Sequence, residues 1–188
     1  MIVGETLYVW TRTQWRAWLS KNHAAAKEIW LIYYKKESGK KRISYNDAVE
    51  EALCYGWIDS TAKSRDKQSW VQRFSPRRPK SNLSELNKER MRVMIKAKKM
   101  TKAGLLSVAQ HLTPITQQPK RFVFPKDILL EIKKNPTAWK HYQRFPLNYR
   151  RIRIAWIDDS RIRPDEYTKR LRYFISMTEK NKRFGTVQ

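Results

Sequence analysis

Basic, proline and serine side chains are concentrated between residues 73 and 84. An arginine guanidinium binds two oxygens of a phosphate or carboxylate at once, and prolines restrict the conformation of the loop that carries it. Two serines follow where a helix is expected to begin, and the free N–H groups and dipole of a helix N-terminus attract anions. The pattern predicts an anion-binding site made of Arg73, Arg77, Arg78, Lys80, Ser81 and Ser84.

Asp59 gives this loop a second interpretation. Its carboxylate could hold Arg77 or Arg78 in an ion pair, or it could act as a general base on a small acidic substrate, which would make the protein an enzyme. The remaining alternative is a solvated loop whose arginines are neutralised by Asp59, Asp66 or Glu85. The residues expected to support the site are Trp57, Asp59 and Asn87.

Basic and aromatic side chains also alternate near the C-terminus. Such interleaving can bind single-stranded nucleic acid, because bases stack on the rings while the cations meet the phosphates. The alternative is that the rings form a core and the arginines a solvated face. The pattern predicts a second basic patch of Arg150, Arg151, Arg153, Lys169 and Arg170, beside Tyr149, Trp156, Tyr167 and Tyr173.

The net charge supports both predicted sites. The 188 residues carry 41 lysines and arginines against 17 acidic side chains, for a net charge of +24. Residues 61–102 (the middle basic block) have a net charge of +11, and residues 140–188 (the C-terminal basic block) one of +8. Because such an excess attracts polyanions, the expected partner is nucleic acid or another polyanion, or an acidic membrane surface.

No catalytic or metal-binding motif accompanies these charges. The single cysteine, Cys54, lies on the apolar face of a predicted helix, and the three histidines lack the spacing of metal ligands. With 5 glycines, the chain has no glycine-rich loop to cradle phosphates, and it has no nucleophile elbow. We expect no metal, no cofactor and no catalytic residue, and a binding domain is the leading hypothesis.

The composition indicates a folded protein of the cytoplasm. Aromatic residues make up 12% of the chain, which is enough for a hydrophobic core. A lone cysteine fits a reducing compartment, and the first residues lack the basic and apolar segments of an export signal. No stretch reaches the roughly 18–20 apolar residues that a membrane span needs.

Hydrophobic periodicity predicts an α+β fold with a small antiparallel or mixed sheet and helices in the N-terminal part, residues 1–112. Strands are expected at residues 7–10, 29–34, 57–59 and 70–74. Helices are expected after Thr11 or Thr13, after Ser44, from Ser81 or Ser84 to about Lys99, and from Thr101 to Gln110. The third of these should bury Leu83, Leu86, Met94 and Ala97.

The C-terminal part, residues 122–188, is predicted to be helical, with residues 113–121 as the linker. Four prolines occupy positions where helices should begin: Pro125, Pro136, Pro146 and Pro164. Residues 151–154 alternate like a strand, but Tyr149, Ile152 and Trp156 fit one face of a helix, which we favour. Whether the two parts form one compact domain stays open at this level.

Several strings of the sequence resemble the YdeI/OmpD-associated, or bacteriocin-protection, family. The most specific are Gly-Trp-Ile-Asp at residues 56–59 and Phe-Ser-Pro-Arg-Arg-Pro-Lys-Ser at residues 74–81. Agreement elsewhere extends the likeness over nearly the whole chain, although Leu83 stands where the family tends to have tryptophan and Glu166-Tyr167 where it tends to have a Thr-Arg pair. The resemblance implies a role in stress or antimicrobial-peptide resistance and no particular reaction.

Overall fold

The structure, a computed structural model, describes residues 2–78, 81–109 and 122–185. Contacts divide the chain into two units. Unit 1 comprises Met1–Asn82 and Arg90–Thr116, and unit 2 comprises Leu83–Glu89 and Gln117–Gln188. The predicted linker, residues 113–121, lies outside the described residues. The expected fold class is confirmed, with a mixed sheet and helices in the N-terminal part and helices in the C-terminal part.

Unit 1 contains a four-stranded sheet in the order β1-β2-β4-β3. The strands are β1 (Thr6–Leu7), β2 (Ile29–Tyr34), β3 (Trp57–Ser64) and β4 (Ser69–Pro76). β1 runs parallel to β2, and the other two pairs are antiparallel. β2 consists of β-branched, aromatic and leucine residues and is buried on both faces, which suits a central strand. β1 is shorter than predicted because it pairs with β2 only at Thr6 and Leu7 before the chain enters the first helix.

Hydroxyl side chains cap the helices of the N-terminal part, as predicted. Thr11 forms a reciprocal capping box with Gln14, Ser44 accepts from the Asp47 amide, and Thr101 accepts from the Gly104 amide. The α-helices are α1 (Arg12–Asn22), α2 (Tyr45–Cys54), α3 (Glu85–Lys96) and α4 (Lys102–Leu106), with a 3₁₀ turn at Lys36–Ser38. α4 ends before the predicted Gln110, which is not among the described residues.

The core of unit 1 is largely aromatic. Trp15, Trp57, Tyr33 and Phe74 are buried, and Cys54 is buried with them, so that burial raises the pKa of its thiol to about 11. Gly104 brings α4 against the carbonyl of Cys54, because a Cβ there would lie 2.2 Å from that oxygen. Cys54 is therefore a core residue.

Burial along α3 differs from the prediction at one position. Leu83 and Met94 are buried, Leu86 is half-buried, and Ala97 is exposed rather than buried. The helix ends at Lys96, and Lys98 then takes a left-handed conformation with φ of 54°, so Ala97 no longer follows the helical period.

The described residues of unit 2 form four further helices, α5 (Lys126–Lys133), α6 (Pro136–Arg144), α7 (Leu147–Asp158) and α8 (Pro164–Glu179). Each of the four prolines stands at the N-cap or the first position of a helix, as predicted. Residues 151–154 lie within α7, which confirms the helical interpretation. No helix among the described residues has the length and apolar character to cross a bilayer. The core is formed by Ile128, Ile132, Ala138, Tyr142, Tyr149, Ile154, Ile157 and Phe174.

Candidate anion-binding site

Arg73, the first residue of the predicted anion-binding site, makes its contacts within the sheet region. It lies on β4, and its guanidinium contacts the carboxylate of Glu28 at 2.7 Å. The same guanidinium donates to the hydroxyls of Ser60 and Ser75. The pKa of Glu28 is lowered by the indole N–H of Trp30 and by Arg73. Arg73 therefore serves as an ion-pair partner within the sheet.

The rest of the loop is held by its own backbone. Arg77 is 7% exposed and donates to the carbonyl of Ser81, and burial lowers its pKa. The hydroxyl of Ser81 donates to the carbonyl of Arg78 at 2.8 Å, while Arg78 itself is exposed. Ser84 accepts from the amide of Asn87 at 3.3 Å and so acts as a helix cap. Lys80 lies outside the described residues.

Asp59 is bound by a tyrosine rather than by the loop. The hydroxyl of Tyr45, on α2, donates to its carboxylate. Burial, followed by the charge of Asp59, raises the pKa of Tyr45. Among the described residues, neither Arg77 nor Arg78 forms an ion pair with Asp59, so the expected ion pair between Asp59 and the loop is not formed there. Trp57 is buried and donates to the carbonyl of His23 at 3.0 Å, which gives it a structural role.

Two arginines of the second basic patch are used inside unit 2. Arg151 is buried and contacts Glu89 at 2.7 Å and Glu85 at 3.4 Å. The guanidinium of Arg150 lies 5.4 Å from the ring centroid of Tyr142. Both side chains therefore make contacts within the fold, and neither lines the pocket that the other residues of the patch form.

The other three residues of the patch line one pocket of about 410 Å³, which we call the C-terminal pocket. Its size falls in the range of small-molecule sites. Its walls come from α7, α8 and the chain that follows α8, all of which belong to unit 2. The lining consists of three basic residues, three aromatic residues and one carboxylate, namely Arg153, Lys169, Arg170, Trp156, Tyr173, Phe184 and Glu166.

The C-terminal pocket has a net positive charge. Arg170 donates to Glu166 at 2.8 Å and to the carbonyl of Trp156 at 2.7 Å, and this pairing lowers the pKa of Glu166. Arg153 is 6% exposed, and its guanidinium lies 4.6 Å from the ring centroid of Phe184. Lys169 is exposed and forms no ion pair with a residue that the structure describes. The lining thus contains three cations and one carboxylate, Glu166.

Phe184 is a pocket residue that the sequence did not indicate. Its backbone amide donates to the hydroxyl of Tyr149 at 3.2 Å, which holds the end of the chain against α7. Its ring contacts Trp156 and Tyr173. Hydrophobic periodicity did not indicate Phe184, because this residue follows the last helix. The ion pair between Glu166 and Arg170 could have been predicted from their i,i+4 spacing.

Metal ligands do not cluster in the described ranges. They contain no group of three or more histidine, cysteine, aspartate or glutamate side chains that could hold a metal ion. The chemistry that the C-terminal pocket offers is therefore that of cations and aromatic rings, which can bind a charged ligand without a bound ion.

Comparison with known families gives two matches. Residues 7–107 match a domain of unknown function, DUF8412, and residues 121–181 match the OmdA family, described as Bacteriocin-protection, YdeI or OmpD-Associated. The first match alone covers more than half of the 188 residues. The chain belongs to the DUF8412 family, and its C-terminal part is similar to the OmdA family over residues 121–181. Searches of curated proteins and of solved structures found no match.

The OmdA domain contains most of the C-terminal pocket. Arg153, Trp156, Glu166 and the cationic and aromatic residues of α8 fall within residues 121–181, while Phe184 lies beyond them. The expected family resemblance is confirmed by this match. The Gly-Trp-Ile-Asp and Phe-Ser-Pro-Arg-Arg-Pro-Lys-Ser strings lie instead in the DUF8412 match.

Proposed function

We propose that this chain is a non-enzymatic binding protein whose C-terminal pocket binds a phosphate-bearing or other anionic partner. One observation carries the proposal, namely that three cations and three aromatic rings surround a pocket with a single carboxylate. The carboxylate is already paired with Arg170, which leaves the exposed ammonium of Lys169 to meet an anion.

The contacts of the middle basic block favour the C-terminal pocket over the loop at residues 73–84. Arg73 already has a carboxylate partner in Glu28, and Arg77 is buried against the carbonyl of Ser81. A guanidinium in such a contact must exchange an existing partner for a ligand, which reduces the net gain on binding. We therefore assign the loop a secondary part, limited to the exposed Arg78.

The description of the family that matches residues 121–181, Bacteriocin-protection, supports a role in antimicrobial-peptide resistance. Direct capture of a cationic antimicrobial peptide is opposed by the net charge of +24, because like charges repel. Occupation of an anionic target, which would shield it from such a peptide, agrees with the charge. We infer that the protein binds the anionic target of such a peptide and not the peptide itself.

The proposal is tested with a fluorescein-labelled abasic oligonucleotide, which presents a chain of phosphates without bases. If about three phosphates are neutralised, the slope of log affinity against log salt is about −2, so binding weakens more than tenfold between about 50 and 200 mM salt. Anisotropy titrations measure this directly. A response that does not depend on salt contradicts the proposal.

Lys169→Gln and Lys180→Gln form the matched pair for this test. Both lysines are exposed, and Lys180 follows the same helix but does not line the C-terminal pocket. Lys169→Gln should reduce the magnitude of the salt slope by about 1, whereas Lys180→Gln should leave it near that of the unchanged protein. Equal effects of the two substitutions would mean that the pocket is not the site.

A further inference from the structure

We propose that the C-terminal pocket accepts one unpaired nucleotide of a single-stranded nucleic acid, with the base on the aromatic wall and its phosphate at Lys169. This inference rests on the proposed function, since it names the anionic partner of the same pocket. It is carried by the arrangement of the rings, by the position of Lys169 and by the exposed cations that continue from it.

The aromatic rings form adjoining walls rather than one closed stack. Phe184 meets Tyr173 at a centroid distance of 4.8 Å and an angle of 67°, and it meets Trp156 at 5.8 Å and 69°. Rings at such angles meet edge to face, which leaves much of each face uncovered, and Tyr173 remains 46% exposed. An exposed ring in a cationic pocket is a platform on which any base can stack.

Lys169 stands one helical turn before Tyr173 on α8. Residues four apart lie on the same helix face, with their Cβ atoms about 5–6 Å apart. A base on the ring of Tyr173 would therefore place its phosphate within reach of the lysine ammonium. The direct ion pair of Glu166 is with Arg170, while Lys169 helps to lower the pKa of Glu166 through its charge alone. Lys169 can therefore bind that phosphate without breaking a direct ion pair among the described residues.

Exposed cations continue beyond the pocket and favour a strand over a free nucleotide. Lys182 and Arg183, which follow α8 immediately before Phe184, are exposed. A free nucleotide would gain little from them, whereas an extended backbone carries a phosphate to each. A single strand is required, since a base inside a duplex is stacked on both faces and cannot lie on a protein ring.

The experiment compares an oligothymidylate, an abasic oligomer of the same length and a duplex of the same sequence length, each labelled with fluorescein and titrated at one salt concentration. We expect the oligothymidylate to bind about tenfold more tightly than the abasic oligomer, as one stacked base implies. The duplex should bind less tightly than the oligothymidylate, although it has more phosphates.

Variants of Tyr173 locate the preference for bases. Tyr173→Ala should make the oligothymidylate and the abasic oligomer bind alike, and Tyr173→Phe, which keeps the ring, should retain the difference. Trp10→Ala is the control, because Trp10 is also an exposed ring but lies in unit 1. The exposure of Tyr173 makes the substitution tolerable to the fold, and the unfolding temperature of each variant verifies this.

The outcomes separate this inference from the proposed function. Equal binding of abasic and base-bearing strands, or a duplex that binds as tightly as the single strand, would overturn the inference and leave anion binding standing. A preference for bases that survives Tyr173→Ala would also overturn it. If neither strand binds, the proposed function fails as well.

Discussion

Arg73 in the middle basic block pairs with Glu28, whereas Lys169 in the C-terminal basic block has no described ion-pair partner. The two blocks looked equivalent as sequences, since each combines a high positive charge with aromatic residues. In the folded chain, Arg73 and Arg77 of the middle block are used in the sheet and the loop, whereas Arg153, Lys169 and Arg170 of the C-terminal block surround a pocket. The number of basic residues in a stretch of sequence thus does not tell how many of them can contact a ligand in the folded chain.

In both blocks, the arginines used within the fold meet carboxylates that are distant in sequence. Glu28 lies 45 residues before Arg73, and Glu89 lies 62 residues before Arg151. These partners are brought in by the sheet and by the start of α3. We therefore distinguish arginines that pair with carboxylates within the fold, such as Arg73 and Arg151, from the pocket cations that we propose to bind a ligand.

The largest expected effect concerns an arginine that belongs to the C-terminal block but not to the pocket. Arg151→Ala should lower the free energy of unfolding by about 3 kcal/mol, because it removes a buried guanidinium that contacts the carboxylates of both Glu85 and Glu89. Urea unfolding measures the change, and affinity for the abasic oligonucleotide serves as the control. If the variant kept its stability but lost binding, Arg151 would belong with the ligand-binding cations and not with the arginines that stabilise the fold.

A smaller loss is expected where the end of the chain closes the pocket. Gly185 has φ of +73°, and a Cβ at this position would lie 2.4 Å from a guanidinium nitrogen of Arg153. Gly185→Ala should cost about 1–2 kcal/mol for the left-handed conformation and displace the neighbouring Phe184. Thermal unfolding measures the loss of stability, and weaker binding of the oligothymidylate would indicate that Phe184 has been displaced. Tight binding by a destabilised variant would exclude Phe184 from the site.

Arg73→Ala should have a modest effect that is confined to stability. Glu28 is one-third exposed, so its carboxylate remains solvated after the arginine is removed, and the expected loss is about 1 kcal/mol. Binding of the abasic oligonucleotide should change by less than about twofold. A large loss of affinity with intact stability would move the binding site to the middle basic block.

The smallest effect is expected at an exposed ion pair of unit 2. Two contacts from Arg161 hold the pKa of Asp127 at about 2. Because the folded pKa is depressed, this pair stabilises the fold above the unfolded pKa of about 4, and its contribution disappears as the pH falls toward 2.

The exposure of Asp127 keeps that contribution small. An NMR titration of its carboxylate should give a midpoint near 2, and Arg161→Gln should return it toward the ordinary value. A midpoint near 4 in the unchanged protein would show that the pair does not form.

Local signals allowed much of the fold to be predicted. Thr11, Ser44, Ser84 and Thr101 cap their helices because their hydroxyls bind backbone amides a few residues ahead, which is a property of short segments. The position of Ala97 was mispredicted because the end of α3 depends on a left-handed residue, Lys98, that carries no sequence signal.

The candidate site was less accessible to sequence reasoning. Arg153, Lys169 and Arg170 were identified with Trp156 and Tyr173 because basic and aromatic residues alternate there. The partners of Arg73, Arg151 and Asp59 could not be predicted, since each comes from a segment that only the tertiary fold brings near.

The central claim is that binding resides in the C-terminal pocket and not in the loop at residues 73–84. Lys169→Glu and Arg78→Glu reverse one exposed charge in each region, and anisotropy with the labelled oligothymidylate at one salt concentration compares them directly. The account predicts that Lys169→Glu weakens binding about tenfold or more, while Arg78→Glu weakens it less than about threefold. A larger loss with Arg78→Glu than with Lys169→Glu would contradict it.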